Sequence, residues 1–113
     1  MALSKVINKD YYFDLESLFR DLPESAQQML GDRMMPESAW KLVADRVGFS
    51  AMSIEMLAAK YTSRAAHQML RDWSRRDGST LLVLRQTLGL GDIERRDIIT
   101  FLDDIRKRKL IST

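Results

Sequence analysis

Apolar residues recur along this chain at the three- and four-residue spacing of a helix, and two stretches show it most strongly. Trp40, Val43, Ala44 and Val47 fall at i, i+3, i+4 and i+7, and Ala66, Met69, Leu70 and Trp73 repeat the pattern. Each stripe has to be covered, and a buried indole withdraws about 200 Å² from water, so the two tryptophans fix where the core lies. The same spacing extends outward from them. Leu15, Leu18, Phe19 and Leu22 mark a short helix over 14–22 with Asp14 as its N-cap. Pro23 suits the first turn of the next helix, whose Ala26, Met29, Leu30 and Met34 face inward. Pro36 opens the helix of Trp40, and Gly48 ends it.

The second half reads in the same way. Ser50, with Ser53 as a second candidate start, caps a short helix that turns Ile54, Leu57, Ala58 and Tyr61 inward. Thr62 or Ser63 caps the helix of Trp73, and Asp77-Gly78 closes it. Ser79 and Thr80 open a pattern carrying Leu81, Leu82, Leu84 and Leu88, which Gly89-Leu90-Gly91 ends. Asp92 caps the last helix, with Ile93, Ile98, Phe101, Leu102 and Ile105 as its stripe. No segment alternates strictly as a half-buried strand does, and no repeat recurs. The pattern therefore predicts an all-α antiparallel bundle of six helices over 23–106, with an added short N-terminal helix over 14–22. Residues 1–13 show no periodicity and are expected to be a mobile lead-in, with 107–113 a basic C-terminal tail.

At 113 residues the chain has room for one core, and its 45% hydrophobic and 30% charged residues are those of a globular domain. Without cysteine there is no disulfide framework, and a reducing, cytoplasmic setting is expected, whether the domain stands alone or forms the intracellular part of a receptor or kinase. No run is long enough to span a membrane, so no membrane partner is expected. The net charge of +2 arises from interleaved cations and anions. Only Arg106-Lys107-Arg108-Lys109 is dense, and it falls at a helix end, where cations complement the macrodipole. A helical nucleic-acid binder built on Arg71, Arg75, Arg76 and that run is the alternative reading, but a nucleic-acid partner is not expected.

Catalytic chemistry finds little support. His67 is the only histidine; it could pair with Ser63 at i−4, yet no third group orients it. One histidine and no cysteine make a poor metal set. Neighbouring carboxylates such as Asp103-Asp104 point to different sides of a helix. Gly89-Leu90-Gly91 lacks the strand and lysine of a phosphate loop. We expect no enzyme, no cofactor, no metal and no small-molecule substrate. Of the seven methionines, Met34 and Met35 are adjacent and Met52 and Met56 lie one turn apart; a flexible partner groove is one reading, and core filler with a few side chains exposed is the expectation.

The order of these landmarks resembles the death domain. Leu22-Pro23 is followed by Trp40-x-Leu42-Val43-Ala44 with Gly48-Phe49, Ile54, Met69-Leu70-x-x-Trp73, Ser79-Thr80-x-x-x-Leu84 and Arg95-Arg96-Asp97-Ile98-Ile99, over roughly residues 22–105. Asp72 to Leu84 is similar to the death domain of the low-affinity neurotrophin receptor. Leu22-Pro23 and Arg96-Asp97-Ile98-Ile99 are similar to the Toll-pathway kinase Pelle and its relatives, and both branches stay open. The resemblance implies a Greek-key bundle that binds other death domains, including copies of itself, through three asymmetric pairs of surfaces. It implies a cationic face of Arg64, Arg71 and Arg75 answered by Asp45 and Glu55. It further implies a corner at Arg76-Asp77 meeting Asp92, Glu94 and Arg95, and a third pair with Lys60 on one side and Asp32 or Arg33 on the other.

Overall fold

The computed structural model describes residues 13–112, with side chains described as far as Lys107. Its α-helices are α1 (Glu24–Met34), α2 (Ala39–Arg46), α3 (Ala51–Tyr61), α4 (Ala65–Ser74), α5 (Leu81–Leu88) and α6 (Arg96–Ser112), with 3-10 turns at Phe19–Asp21, Pro36–Ser38 and Thr62–Arg64. Among the described residues there is no strand, only one isolated antiparallel bridge between Leu18 and Thr80. The architecture is all-helical. Of the expected lead-in, residues 1–12 lie outside the described residues.

Two helix starts follow the sequence directly. The Ser50 hydroxyl accepts the Ser53 amide at 3.1 Å, and the Thr80 hydroxyl accepts the Val83 amide at 3.2 Å, each meeting a donor that the first turn leaves without a partner. Every corner between successive helices turns through a left-handed residue. Gly48 (φ 106°) and Gly78 (φ 78°) take two of them at little steric cost. Glu37, Ser38, Thr62 and Glu94 take the other three with side chains present, at φ between 43° and 57°.

Other starts differ from expectation. Pro23 is the N-cap of α1 and not its first helical residue, its ψ of 148° being extended. Arg64 caps α4 without a side-chain bond, and Thr62 sits two residues earlier in a 3-10 turn at φ 43°. Asp92 does not cap α6. Its carboxylate is held by Arg46 at the end of α2, and the helix begins four residues later at Arg96. The backbone of α6 stays helical to Ser112, through the run expected to be a tail.

The largest difference is at 14–22, where a strap with one 3-10 turn replaces the expected helix. Leu18 is extended at φ −77° and ψ 144°. The carbonyls of Leu15 and Ser17 accept the Leu82 and Leu81 amides at 2.8 and 2.9 Å, and the Phe19 amide donates to the Ser79 carbonyl at 2.8 Å. A helix over 14–22 would have turned those carbonyls to its own amides, leaving the start of α5 unsatisfied. Asp14 closes a local turn instead, accepting from the Glu16 amide and the Ser17 hydroxyl. Phe13 is tied to α6: its amide donates to the Arg106 carbonyl at 3.3 Å.

Helix α4 is the centre, packing on α1, α2 and α3, while α6 packs on α1 and α5. It buries Ala65, Ala66, Met69, Leu70, Trp73 and Ser74. Trp40 (2% exposed) and Trp73 (4%) belong to one core cluster, as the two stripes require. The ring that meets Trp73 is Phe19 of the strap, at 5.7 Å between centroids and a 55° tilt. Where α1 crosses α4 the approach is close: a Cβ at Gly31 would stand 2.4 Å from His67 Cδ2. Glycine is what lets the imidazole come this close to α1.

Candidate interaction surfaces

The expected surface residues are all outside the core, but most are engaged within the chain. On α4, Arg71 reaches Glu24 of α1 at 3.4 Å, and Arg64 before the helix donates to Gln28 of α1. Both partners are themselves solvated, so these pairs contribute little stability and leave the cations accessible. Arg75 has no side-chain partner among the described residues, nor do Asp45 on α2 and Glu55 on α3. The cationic and anionic faces therefore each keep at least one uncommitted charge.

Arg76 is held more firmly. Its guanidinium lies 4.3 Å from the Phe49 ring centroid and donates to the Val47 carbonyl at 3.0 Å, locking the α2–α3 corner beside Gly48. Asp77, its neighbour, is exposed. In the loop before α6, Asp92 pairs with Arg46, and Glu94 is exposed at φ 44°. Arg95 grips Asp97 through two bonds, Nε to Oδ1 at 3.0 Å and the terminal nitrogen to Oδ2 at 2.9 Å. That paired bond pushes the guanidinium pKa further up, and it holds the Asp97 carboxyl below the usual carboxylate range. Arg46 and Asp97 were not read as site residues, because both act through partners that spacing does not reveal.

The third pair is split in the same manner. Lys60 sits 5.4 Å from the Tyr61 ring, exposed to solvent. Arg33 stacks 4.1 Å from the Phe101 ring of α6, and Asp32 takes His67 Nε2 at 2.7 Å. His67 thus bonds across to α1 and not to Ser63 on its own side of the corner. Its Nδ1 is buried without a partner.

One expectation about charge is corrected. Arg106, read as part of a solvated helix end, is 6% exposed. It donates to Asp103 at 2.8 Å and to the Phe13 carbonyl at 2.8 Å, while Arg85 of α5 approaches the same carboxylate at 3.0–3.1 Å. Burial raises the Asp103 pKa, but the bonds from Arg85 and Arg106 outweigh it and hold the carboxyl below its ordinary value. One cation is thereby withdrawn from the basic run. Met52 and Met56 are among the methionines left in solvent, standing 73% and 64% exposed on α3, while Met34 and Met69 fill the core.

No group of histidine and carboxylate side chains that could hold a metal ion occurs among the described residues, and no helix among them is long and apolar enough to cross a membrane. No curated protein and no solved structure matches the chain. The family model of the death domain does match, over residues 24–106, from the first residue of α1 to the buried Arg106 of α6. With an all-helical core running through that whole span and most of the chain inside it, this protein belongs to the death domain family.

Proposed function

We propose that this chain is a non-enzymatic module that binds other death domains, itself included, to build an intracellular signalling complex of apoptotic, NF-κB or Toll type. Death domains are interaction modules of homotypic signalling assemblies, and the family match over 24–106 carries the reading. The helices α1–α6 then stand as the Greek-key bundle of that family, with the receptor and Toll-kinase branches both open. The contacts run through ionic faces: Arg64, Arg71 and Arg75 against Asp45 and Glu55, Arg76-Asp77 against Asp92, Glu94 and Arg95, and Lys60 against Asp32 or Arg33. Such contacts are individually weak and salt-sensitive, so affinity accumulates over many copies. A head-to-tail pairing of unlike faces permits that growth.

The uncommitted charges Arg75 and Asp45 give the test. Arg75→Glu and Asp45→Arg should each abolish concentration-dependent assembly in low salt and capture of a partner from a panel of purified death domains, with melting unchanged. Mixing the two variants should restore assembly, because the reversed faces complement each other. Assembly and capture indifferent to both substitutions, or a wild-type chain that neither associates nor captures any member of the panel, would refute the reading.

A further inference from the structure

Helix α3, with the sequence AMSIEMLAAKY, buries Leu57 and packs Ile54, Ala58 and Tyr61 partly on the core, yet it keeps a second apolar side, that of Met52 and Met56, in solvent. Helices of a monomer ordinarily turn such residues inward, and a contiguous apolar face left in water marks a contact surface. Met52 and Met56 stand one turn apart on that face, and beside them a groove opens between α3 and the end of α4. Phe49, Met56 and Tyr61 form its apolar lining, and Lys60, Asp72 and Arg76 are its charged groups.

The charge on this groove selects its occupant. Asp72 already accepts from Gln68 at 2.8 Å, whereas the two cations rest on aromatic faces, Arg76 over Phe49 and Lys60 over Tyr61. Arg76 is fixed as well by the Val47 carbonyl, so it offers its outer edge without further ordering cost. Methionine adapts to apolar side chains of varied shape, and fixed cations beside it reward carboxylates. We propose that the groove captures an acidic amphipathic segment of another protein, with bulky apolar residues on Met52, Met56 and the aromatic lining and carboxylates against Lys60 and Arg76. This capture needs no second death domain and stands whether or not homotypic assembly does.

Panning a library of random short peptides against the intact chain tests it, with Met56→Glu and Lys60→Glu as comparison targets and carbon-labelled methionine methyls as reporters. Both side chains are exposed, so thermal melting should match wild type and any loss is a binding loss. Enriched peptides should combine Asp or Glu with bulky apolar residues, bind each variant about tenfold or more weakly, and move the Met52 and Met56 methyl signals. Enrichment of basic or purely polar peptides, equal binding to wild type and variants, or no enrichment overturns the proposal. Movement of the two methyl signals with chain concentration alone, blocked by no enriched peptide, overturns it too, since the face would then belong to a second copy.

Discussion

Gly31→Ala sets two known effects against each other at the α1–α4 crossing. In a helix interior the change from glycine to alanine stabilises by about 0.5–1 kcal/mol, through backbone entropy. At this position the new methyl would stand 2.4, 2.7 and 2.9 Å from three atoms of the His67 ring. That ring is 7% exposed at its side chain and bonded to Asp32, so it has little room to retreat. Overpacking of this kind costs about 1–3 kcal/mol, and displacing the Asp32 hydrogen bond adds about 1 kcal/mol. The clash wins, and the variant should lose about 1–3.5 kcal/mol, lowering Tm by about 5–15 °C. In a His67→Ala background the obstacle is gone, so the same substitution should stabilise by about 0.5–1 kcal/mol. Urea denaturation of the four chains of this cycle reads both numbers. A Gly31→Ala chain that is more stable than wild type, or one whose effect keeps its sign without the imidazole, would show that the close approach does not constrain α1.

Three further outcomes follow from the packing. Trp40→Ala removes a side chain only 2% exposed and should cost about 3–5 kcal/mol, so a variant that melts like wild type would place the indole outside the core. A chain beginning at Pro23 loses Phe19, Leu22 and the carbonyls that satisfy α5, and should unfold at far lower urea than one beginning at Phe13; equal midpoints would reduce the strap to an ornament. For Asp103 the folded pKa lies below the unfolded one, so the unfolded chain takes up the proton first as pH falls. Its contribution is thus present above the ordinary carboxylate pKa of about 4 and is lost as pH falls below it. Asp103→Asn should cost about 2 kcal/mol at neutral pH and flatten the fall in urea midpoint between about pH 5 and 3; an unchanged acid slope would refute the Arg85–Asp103–Arg106 cluster as its source.

What could be read from the sequence was what a single helix decides for itself. The stripes of Trp40 and Trp73, the Ser50 and Thr80 caps and the glycine corners at 48 and 78 depend on neighbours three or four residues away, and each stands where spacing put it. The misreadings have distant causes. Leu15, Leu18, Phe19 and Leu22 fit a helix, but α5, more than sixty residues on, needs the carbonyls of Leu15 and Ser17 and draws the segment out. Asp92 has the spacing of a cap, but Arg46 of another helix holds its carboxylate. Arg106 sits in a run of cations, and only Asp103 together with the Phe13 carbonyl explains why it is buried. Of the candidate surfaces, the residue types were legible, whereas which charges remain uncommitted was not, since pairing is settled between helices.

The bonds between Phe13 and Arg106 carry a mechanical consequence. A polypeptide joined before the strap would depart beside Arg106, and one joined beyond α6 six helical residues, about 9 Å, further on, so a longer protein would wear this bundle as a pendant instead of threading through it. Tension applied across the two flanks would fall first on those few bonds, peeling them one after another, while the helices bore almost none of the load.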